Sequence, residues 1–420
     1  MIGKLLERYK SNVKIKQVAG LLSANIISIP LSVITSIIIT RFLGPADYGS
    51  FKLILNLFSL ATVIFTFGFF QAGNRALVLN SDSRKAQELY GAELIITGLL
   101  FLLLALSFCG YAVFDKNINE KGLRLVLLLA IPFSWVFLIT KYFEVLFQAD
   151  NKIRLLAKAR LFPHLIYFGI ILVIYYFLIN YSGNRLILIL ATYFAGNIIV
   201  ALYIIIKIKP SFRNLRDRVQ EIIHYNKTFG FNVYIGSLFA VGFSQLTGVL
   251  ISYFATDNSG VGYYSLAVTI AAPLAFIPNV IATTHYKDFS TSRKIDRKLL
   301  LITLGISGAA LLLTVLLVGP FIRIFYGPEF APVIKLTYIV SVGMIMNGMA
   351  DFFNRFLGSH GKGKALRNSA FIVGLSVLIL NVVLIPLFGE TGASWTTFFS
   401  GIIYFLCMYL YYRFLVVELR

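Results

Sequence analysis

Residues 299–322 read LLLITLGISGAALLLTVLLVGPFI, a run of 24 positions without an acidic or basic side chain. A helix rises about 1.5 Å per residue, so about 20 apolar residues cross the roughly 30 Å hydrocarbon core of a bilayer. A helix that is apolar on every face needs either a large protein core or a membrane around it. This run therefore predicts a transmembrane helix.

The composition extends that conclusion to the whole chain of 420 residues, of which 58% are hydrophobic and 13% are charged. The mean hydropathy is +0.82. Soluble globular domains are about 45–50% apolar and about 25% charged. No soluble fold of this size hides so much apolar surface, so the composition excludes a soluble enzyme and a soluble binding module.

Segments that lack Asp, Glu, Lys and Arg and are long enough to cross a bilayer recur along the chain, and two further segments carry charge only near their ends. We therefore predict an all-α polytopic membrane protein with twelve transmembrane helices. The predicted spans are 17–40, 53–74, 94–114, 125–148, 161–184, 186–206, 228–256, 258–284, 299–322, 336–357, 368–389 and 391–412. The basic residues before span 1 precede a long apolar run without a small-residue cleavage pattern, so we expect span 1 to be retained.

The basic residues predict the orientation, because cytoplasmic loops carry an excess of Lys and Arg. With the N-terminus inside, 28 of the 38 Lys and Arg fall in inner segments and eight in outer loops. Both termini are then cytoplasmic, as an even number of spans requires. The net charge of +20 is explained by topology, and we expect no nucleic-acid partner.

Short repeated motifs indicate that the chain is duplicated. SDSRK at 81–85 matches STSRK at 290–294, an offset of 209, and each follows an even-numbered span. Two further matches lie at offsets of 210 and 213. We predict two pseudo-symmetric six-helix lobes, 1–206 and 228–420, joined by a cytoplasmic linker at 207–227. Parallel repeats of this kind build transporters that work by alternating access.

Glycine, proline and aromatic motifs along the chain resemble a known superfamily. They are TRFLGPADYGSF (40–51), FGFFQAGNRALV (67–78), GYYSLAVTIAAPLAFIPNVIATTHYKDFS (262–290), IFYGPEFAPV (324–333) and NVVLIPLFGETGASWTT (381–397). Their order and spacing resemble the multidrug/oligosaccharidyl-lipid/polysaccharide (MOP) exporters, which share a MATE-like fold, and within them the Wzx-type flippases. The resemblance covers residues 17–412.

The resemblance implies a flippase, without enzymatic activity or cofactor, in the bacterial inner membrane. Its substrate would be an undecaprenyl-diphosphate-linked repeat unit of O-antigen lipopolysaccharide, capsule or exopolysaccharide, with the polymerase and chain-length machinery as possible partners. Two alternatives stay open. A multidrug or cation antiporter shares the fold but usually has an acidic residue deep in a lobe. A membrane-embedded glycan polymerase generally needs a large outer loop, and the longest outer loop predicted here is 323–335.

Charged residues inside membrane spans are costly and indicate function. Span 4 carries Lys141 and Glu144, and span 10 carries Asp351 and Arg355 at the duplicated position. We expect Lys141 and Arg355 to meet a diphosphate in the inner half of the membrane, with Arg75 near the inner mouth. In the alternative interpretation these charges form local pairs at helical spacing and reach the membrane interface.

Cationic and polar residues elsewhere are weaker candidates. Arg41 and Lys52 flank the outer ends of spans 1 and 2, where they either line the exit path or reach the interface. Polar side chains within spans could bind sugar hydroxyl groups or form interhelical hydrogen bonds. We favour three of them for the cavity: Gln71, Asn74 and Gln245.

Two further titratable residues, Glu93 and His164, lie close to the predicted inner ends of spans 3 and 5. We expect both at the membrane interface. The four histidines are dispersed and the two cysteines lie within apolar runs. The sequence therefore predicts neither a metal site nor a disulfide framework.

Overall fold

The computed structural model describes residues 13–80, 82–177 and 183–418. It is about 90% helical, and no strand occurs among these residues. Within them, eight helices are long and apolar enough to cross a membrane, or nine when Arg124–Phe133 and Trp135–Ala149, bent by 42°, count as one span. The prediction of an all-α, multi-pass membrane protein is confirmed, and the number twelve stays a prediction.

The helices follow one another with short connections. Those of the first half are α1 (Val13–Phe65), α2 (Phe69–Leu79), α3 (Ser83–Phe114), α4 (Lys116–Glu120), α5 (Arg124–Ala130), α6 (Trp135–Ala149), α7 (Ile153–Phe177) and α8 (Arg185–Ile208). Those of the second half are α9 (Leu215–Tyr225), α10 (Phe231–Ser237), α11 (Phe243–Phe254), α12 (Ser259–Thr284), α13 (Tyr286–Thr291), α14 (Arg297–Phe325), α15 (Pro332–Ser359) and α16 (Gly363–Glu418). Single π-helical turns at Asn226–Gly230 and Leu238–Gly242 flank α10.

The two longest helices are each broken by one glycine. Helix α1 has 53 residues and contains Gly44 at φ 76° and ψ 175°. Helix α16 has 56 residues and contains Gly389 at φ 56° and ψ −134°. Both conformations lie where a Cβ atom would clash with the backbone, so only glycine adopts them without strain. Each glycine therefore divides one apolar helix into two arms.

The chain forms two compact units. Unit 1 comprises the chain up to Phe42 together with Phe58–Ile235, and unit 2 comprises Leu43–Leu57 together with the chain from Gly236 onward. The segment Leu43–Leu57, which the predicted lobe 1–206 includes, thus packs within unit 2. The two lobes and the linker at 207–227 were inferred from repeated sequence motifs and not from contacts. This division of the chain stays a prediction.

Close backbone contact explains why Leu43–Leu57 packs against α12. A Cβ atom at Gly49 would lie 1.7 Å from the carbonyl oxygen of Asn258, so this contact requires glycine. The Asn258 Nδ2 atom donates to Ser50 Oγ at 2.9 Å, and its Oδ1 atom accepts from Ser252 Oγ at 2.7 Å. Buried amides are stable when both ends are hydrogen-bonded, as here. Asn258 therefore ties the segment to unit 2.

Aromatic side chains form the inner core of unit 2. The rings of Phe289, Phe352, Phe353 and Phe356 are at most 3% exposed. Tyr412 packs on Phe353 and Phe356 with ring centroids 5.0 and 5.2 Å apart. Aromatic pairs at such distances add to the free energy of apolar burial. This cluster packs the C-terminal part of α15 against the C-terminal part of α16.

Candidate functional site: two polar cavities

Unit 2 contains a polar cavity of about 450 Å³, the unit 2 cavity. Its walls come from the Leu43–Leu57 segment, α11, α12, α15 and α16. Three amides (Asn56, Gln245 and Asn347) and seven hydroxyl side chains line it together with a single charged residue, Lys52. None of its lining residues is acidic. Such a surface in a membrane protein is suited to a ligand rich in hydroxyl groups.

Hydrogen bonds between helices hold the walls of the unit 2 cavity in place. The Asn381 Nδ2 atom donates to Thr247 Oγ1 at 2.9 Å, and the hydroxyl oxygens of Tyr264 and Thr397 lie 2.9 Å apart. A Cβ atom at Gly248 would lie 2.2 Å from Asn56 Nδ2, so the Asn56 amide fills the space above this glycine. The lining is therefore preorganised, which lowers the entropic cost of binding.

Lys52 is the cation of the unit 2 cavity. Its side chain is half-buried, and its Nζ atom lies 5.4 Å from the ring centre of Tyr48 and 5.9 Å from that of Phe51. Within the described part of the chain, no carboxylate lies within 4 Å of it. The aromatic faces stabilise an ammonium group without neutralising it. Lys52 is thus available to an anionic group on a ligand.

Unit 1 contains a second cavity of about 280 Å³, the unit 1 cavity. Its walls come from α1, α6, α7 and α8, and its lining includes Glu144 and Arg160. Ser28, Thr140 and Asn197 add polar groups. A cation and a carboxylate lie together on the wall of this cavity, and charged groups within a membrane helix bundle indicate a functional site.

The hairpin of α6 and α7 brings the charges of this cavity together. Asn151 adopts φ 51° in the turn, a left-handed conformation that Asn tolerates better than most residues. The backbone N–H of Lys152 then donates to the Phe147 carbonyl at 2.9 Å and closes the end of α6. Because the two helices are antiparallel, Glu144 near the end of α6 and Arg160 near the start of α7 reach similar depth.

Glu144 bridges two cations. Its Oε2 atom lies 3.5 Å from Lys141 Nζ, and its Oε1 atom lies 3.6 Å from Arg160 Nη2. The local pair expected between Lys141 and Glu144 is therefore present, but it belongs to a three-residue group. The sequence analysis missed Arg160, because a search for charge-free segments ends a span at the first charged residue. Arg160 in fact lies seven residues inside α7, and His164 lies one turn further and lines the same cavity.

Asp351 and Arg355 behave differently in unit 2. The carboxylate of Asp351 accepts from Tyr404 Oη at 2.9 Å and from Asn279 Nδ2 at 3.1 Å. Arg355 is exposed, and within the described ranges it forms no ion pair shorter than 4 Å. The alternative interpretation predicted a local pair of Asp351 and Arg355, but the direct hydrogen bonds to Asp351 come from neutral donors. Arg355 acts on the carboxylate from a longer distance.

Four other candidates are spread over unit 1. Arg75 is exposed, with its guanidinium 5.8 Å from the ring centre of Phe229. Arg41 is exposed on α1 close to the break at Gly44. Gln71 is half-buried on α2, and its buried Oε1 atom has no hydrogen-bond partner among the described residues. None of these three residues lines the unit 1 cavity.

Asn74 has a structural contact. Its Nδ2 atom donates to the Val145 carbonyl at 2.7 Å, which joins α2 to α6. The interhelical hydrogen bond that the sequence analysis kept as the alternative is therefore the one observed. One of the two N–H groups of this amide is therefore used within the protein.

Glu93, which we expected at the membrane interface, is enclosed within unit 1, and its depth in the membrane stays a prediction. Its side chain is 0% exposed, and its carboxylate lies directly against the backbone of Gly73. A Cβ atom at Gly73 would lie 1.9 Å from Glu93 Oε1, so the carboxylate occupies the space that this glycine leaves. Helix α3 begins at Ser83, and Glu93 is therefore nearly three turns inside it.

Comparisons with known proteins agree with this architecture. Residues 15–286 match the family described as polysaccharide biosynthesis protein. The chain is 22% identical to the "Probable flippase AglR" of Haloferax volcanii, over 90% of this chain and 79% of that protein. Both the family match and this relative cover most of unit 1.

Two solved structures share the fold. The structure named "Lipid II flippase MurJ, inward closed conformation" superimposes with a TM-score of 0.75 and 16% identity, over 95% of this chain and 89% of that one. The structure of an inward-facing multidrug resistance MATE family transporter of the MOP superfamily superimposes with a TM-score of 0.68 and 13% sequence identity. That match covers 93% of this chain and 95% of the transporter. The MATE-like fold expected from the sequence motifs is therefore confirmed. Because the family match spans more than half of the sequence, the chain belongs to the polysaccharide biosynthesis protein family.

Proposed function

We propose that this protein is a flippase that moves a lipid-linked oligosaccharide across the membrane by alternating access. The observation that carries the proposal is the unit 2 cavity, with its hydroxyl and amide side chains, one cation and no acidic lining residue. Burying such groups without partners is unfavourable in a membrane protein. A glycan satisfies them, since each sugar hydroxyl both donates and accepts hydrogen bonds.

The size of the unit 2 cavity supports a sugar rather than a simple ion. Its volume of about 450 Å³ lies in the range of roughly 300–1,000 Å³ that is typical of small-molecule sites. Gln245, which we favoured from the sequence, lines the cavity beside Asn56 and Asn347. We assign these three amides to the glycan and Lys52 to an acidic group of the substrate.

The finer substrate assignment follows the family resemblance. We propose an undecaprenyl-diphosphate carrier and a repeat unit of O-antigen, capsule or exopolysaccharide, moved in a bacterial inner membrane towards the polymerase machinery. Lys141 and Arg355 would meet the diphosphate, with Arg75 near the inner mouth and Arg41 on the exit path. The exposure of Arg355 and Arg75 supports their access to a headgroup.

We also propose the predicted twelve spans with both termini cytoplasmic. The 56 residues of α16 would extend about 84 Å as one helix, far more than one crossing needs. The breaks at Gly44 and Gly389 support two crossings for each of the two longest helices. The basic residues before Val13, which the orientation also uses, lie outside the described residues.

A second candidate is a multidrug or cation antiporter of the same fold. The buried carboxylate of Glu93 favours it, because a carboxylate enclosed in a membrane helix bundle is a common proton or cation site. Against it, the unit 2 cavity lacks the acidic lining that attracts cationic drugs. The glycan polymerase considered from the sequence gains no support from either cavity.

Lipid analysis of a deletion strain tests the proposal. Loss of a flippase leaves its lipid-linked glycan in the inner leaflet, where mass spectrometry of extracted lipids identifies both the carrier and the sugars. We expect one lipid-linked glycan to accumulate, and the wild-type gene to restore its level. An Asn56→Ala/Gln245→Ala variant should accumulate the same lipid, whereas Asn117→Ala, which lines neither cavity, should not. An unchanged lipid profile together with increased drug sensitivity would identify the antiporter instead.

A further inference from the structure

The charged group of the unit 1 cavity is only loosely paired. Glu144 lies 3.5 Å from Lys141 Nζ and 3.6 Å from Arg160 Nη2, longer than the usual 2.7–2.9 Å of a charge-assisted hydrogen bond. The three side chains are between 32% and 40% exposed. Pairs of this length and exposure are weak. The carboxylate can therefore be displaced from the two cations without a large loss.

Arg160 has donor capacity that the protein does not use. Among the described residues its ion pair is the 3.6 Å contact of Nη2 with Glu144 Oε1, and its side chain is 33% exposed. A guanidinium carries five N–H donors in a plane, arranged to bind two oxygens of one phosphate or carboxylate. A single long contact with Glu144 leaves the exposed edge of the guanidinium open to another anion. This pattern is typical of an arginine that awaits an anionic ligand.

The charge count favours an anion as well. Lys141 and Arg160 supply two positive charges, and Glu144 supplies one negative charge, so the group keeps one net positive charge. Thr140 and Asn197 line the cavity with further polar atoms. Room for a ligand exists beside the carboxylate, because Glu144 and Arg160 both line the open cavity of about 280 Å³.

We propose that Arg160 and Lys141 form a receptor for the diphosphate of the lipid carrier, and that Glu144 is a tethered counter-ion which the diphosphate displaces. The inference rests on the proposed function and adds to it a site within unit 1. In the empty protein the carboxylate neutralises part of the site and keeps the two cations apart. When the carrier arrives, its oxygens take over the Arg160 donors and Glu144 rotates away. The carboxylate then competes with the bound headgroup and speeds its release.

Binding to the purified full-length protein in nanodiscs of neutral lipid tests this site. The probes are farnesyl diphosphate, farnesol and inorganic diphosphate, each measured by titration calorimetry. We expect Arg160→Gln to weaken farnesyl diphosphate binding about tenfold, as expected for the loss of one charge-assisted hydrogen bond. Glu144→Gln should strengthen it about threefold, because the competing charge is weak at this exposure. Two exposed residues provide matched controls, Arg154→Gln on α7 and Glu120→Gln on α4, and both should bind as the wild type does.

Each arm of the experiment separates one explanation. Unchanged affinity in Arg160→Gln, or weaker binding in Glu144→Gln, overturns the proposal. If inorganic diphosphate binds as tightly as farnesyl diphosphate, the site does not recognise a lipid-linked headgroup. If farnesol binds as tightly as farnesyl diphosphate, the diphosphate does not contribute to binding. Arg160→Lys, which keeps the charge, should bind better than Arg160→Gln and so excludes misfolding as the cause. Glycan accumulation in the deletion strain is measured separately from binding. The binding experiment can therefore refute the Arg160 site without refuting the proposed flippase function.

Discussion

Gly73 and Glu93 are packed so tightly that a single methyl group should destabilise unit 1. An alanine Cβ at position 73 would lie 1.9 Å from Glu93 Oε1, 2.6 Å from its Cδ and 3.0 Å from its Cγ. Glu93 is 0% exposed, so its side chain has no open space into which to move. Overpacking of this kind costs about 1–3 kcal/mol, and the severity of the contact indicates the upper end.

The net effect of Gly73→Ala includes a small gain. Replacing glycine by alanine inside a helix stabilises it by about 0.5–1 kcal/mol, and Gly73 lies inside α2. The net loss is then about 2 kcal/mol. At roughly 2–4 °C per kcal/mol for a unit of this size, the apparent Tm should fall by about 4–8 °C. The assay is thermal unfolding in detergent at one fixed scan rate, since membrane proteins often unfold irreversibly.

A double mutant and a matched glycine make this prediction sharp. Glu93→Ala in the Gly73→Ala background removes the clashing carboxylate and should recover most of the lost Tm. Gly98→Ala on α3 has nothing within 4 Å of its new Cβ, so it should leave the Tm unchanged or slightly higher. A Gly73→Ala protein as stable as the wild type, or no recovery in the double mutant, would refute the packing of Glu93 described here.

Three further substitutions test unit 2. Lys52→Met should lower the rate of glycan flipping in reconstituted vesicles by about tenfold through loss of one charged contact, whereas Lys52→Arg keeps the charge and should retain most activity. Gly248→Ala would place a Cβ 2.2 Å from Asn56 Nδ2 and should reduce flipping while Gly308→Ala, with open space around it, does not. Gly389→Ala places its Cβ in open space but forces φ 56° on alanine. The backbone strain of about 1–3 kcal/mol should lower the Tm, while the flipping rate per folded protein stays unchanged. Equal Tm values for this variant and the wild type would contradict the helix break at Gly389.

The positions of the charged residues were the least predictable part of the site. The search for spans started from segments without charge, and such a search places most charged residues outside the spans. Arg160 and Glu93 both show the consequence, since the helices that carry them begin at Ile153 and Ser83, well before the predicted spans. A charged residue can lie within a membrane helix when another helix supplies an oppositely charged side chain or a glycine that leaves space for it. That second residue is distant in sequence.

Polar residues within spans were equally ambiguous from the sequence. Asn74 and Gln245 have similar apolar neighbours along the chain, yet Asn74 donates to the Val145 carbonyl and Gln245 lines the unit 2 cavity. An amide in a membrane helix satisfies its hydrogen bonds with a helix, a ligand or water, and all three are compatible with one local sequence. Only the positions of neighbouring helices distinguish them.

The sequence by itself determined that this protein is a multi-pass, all-α membrane protein of the MOP type. Apolar run length and composition are properties of each segment alone, and the family motifs are read directly from the residues. The tertiary structure decided which side chains meet. It placed Leu43–Leu57 in unit 2, gathered Lys141, Glu144 and Arg160 around one cavity, and enclosed Glu93 against Gly73. Contacts of this kind depend on how helices far apart in the chain pack, and local hydrophobicity carries no record of that packing.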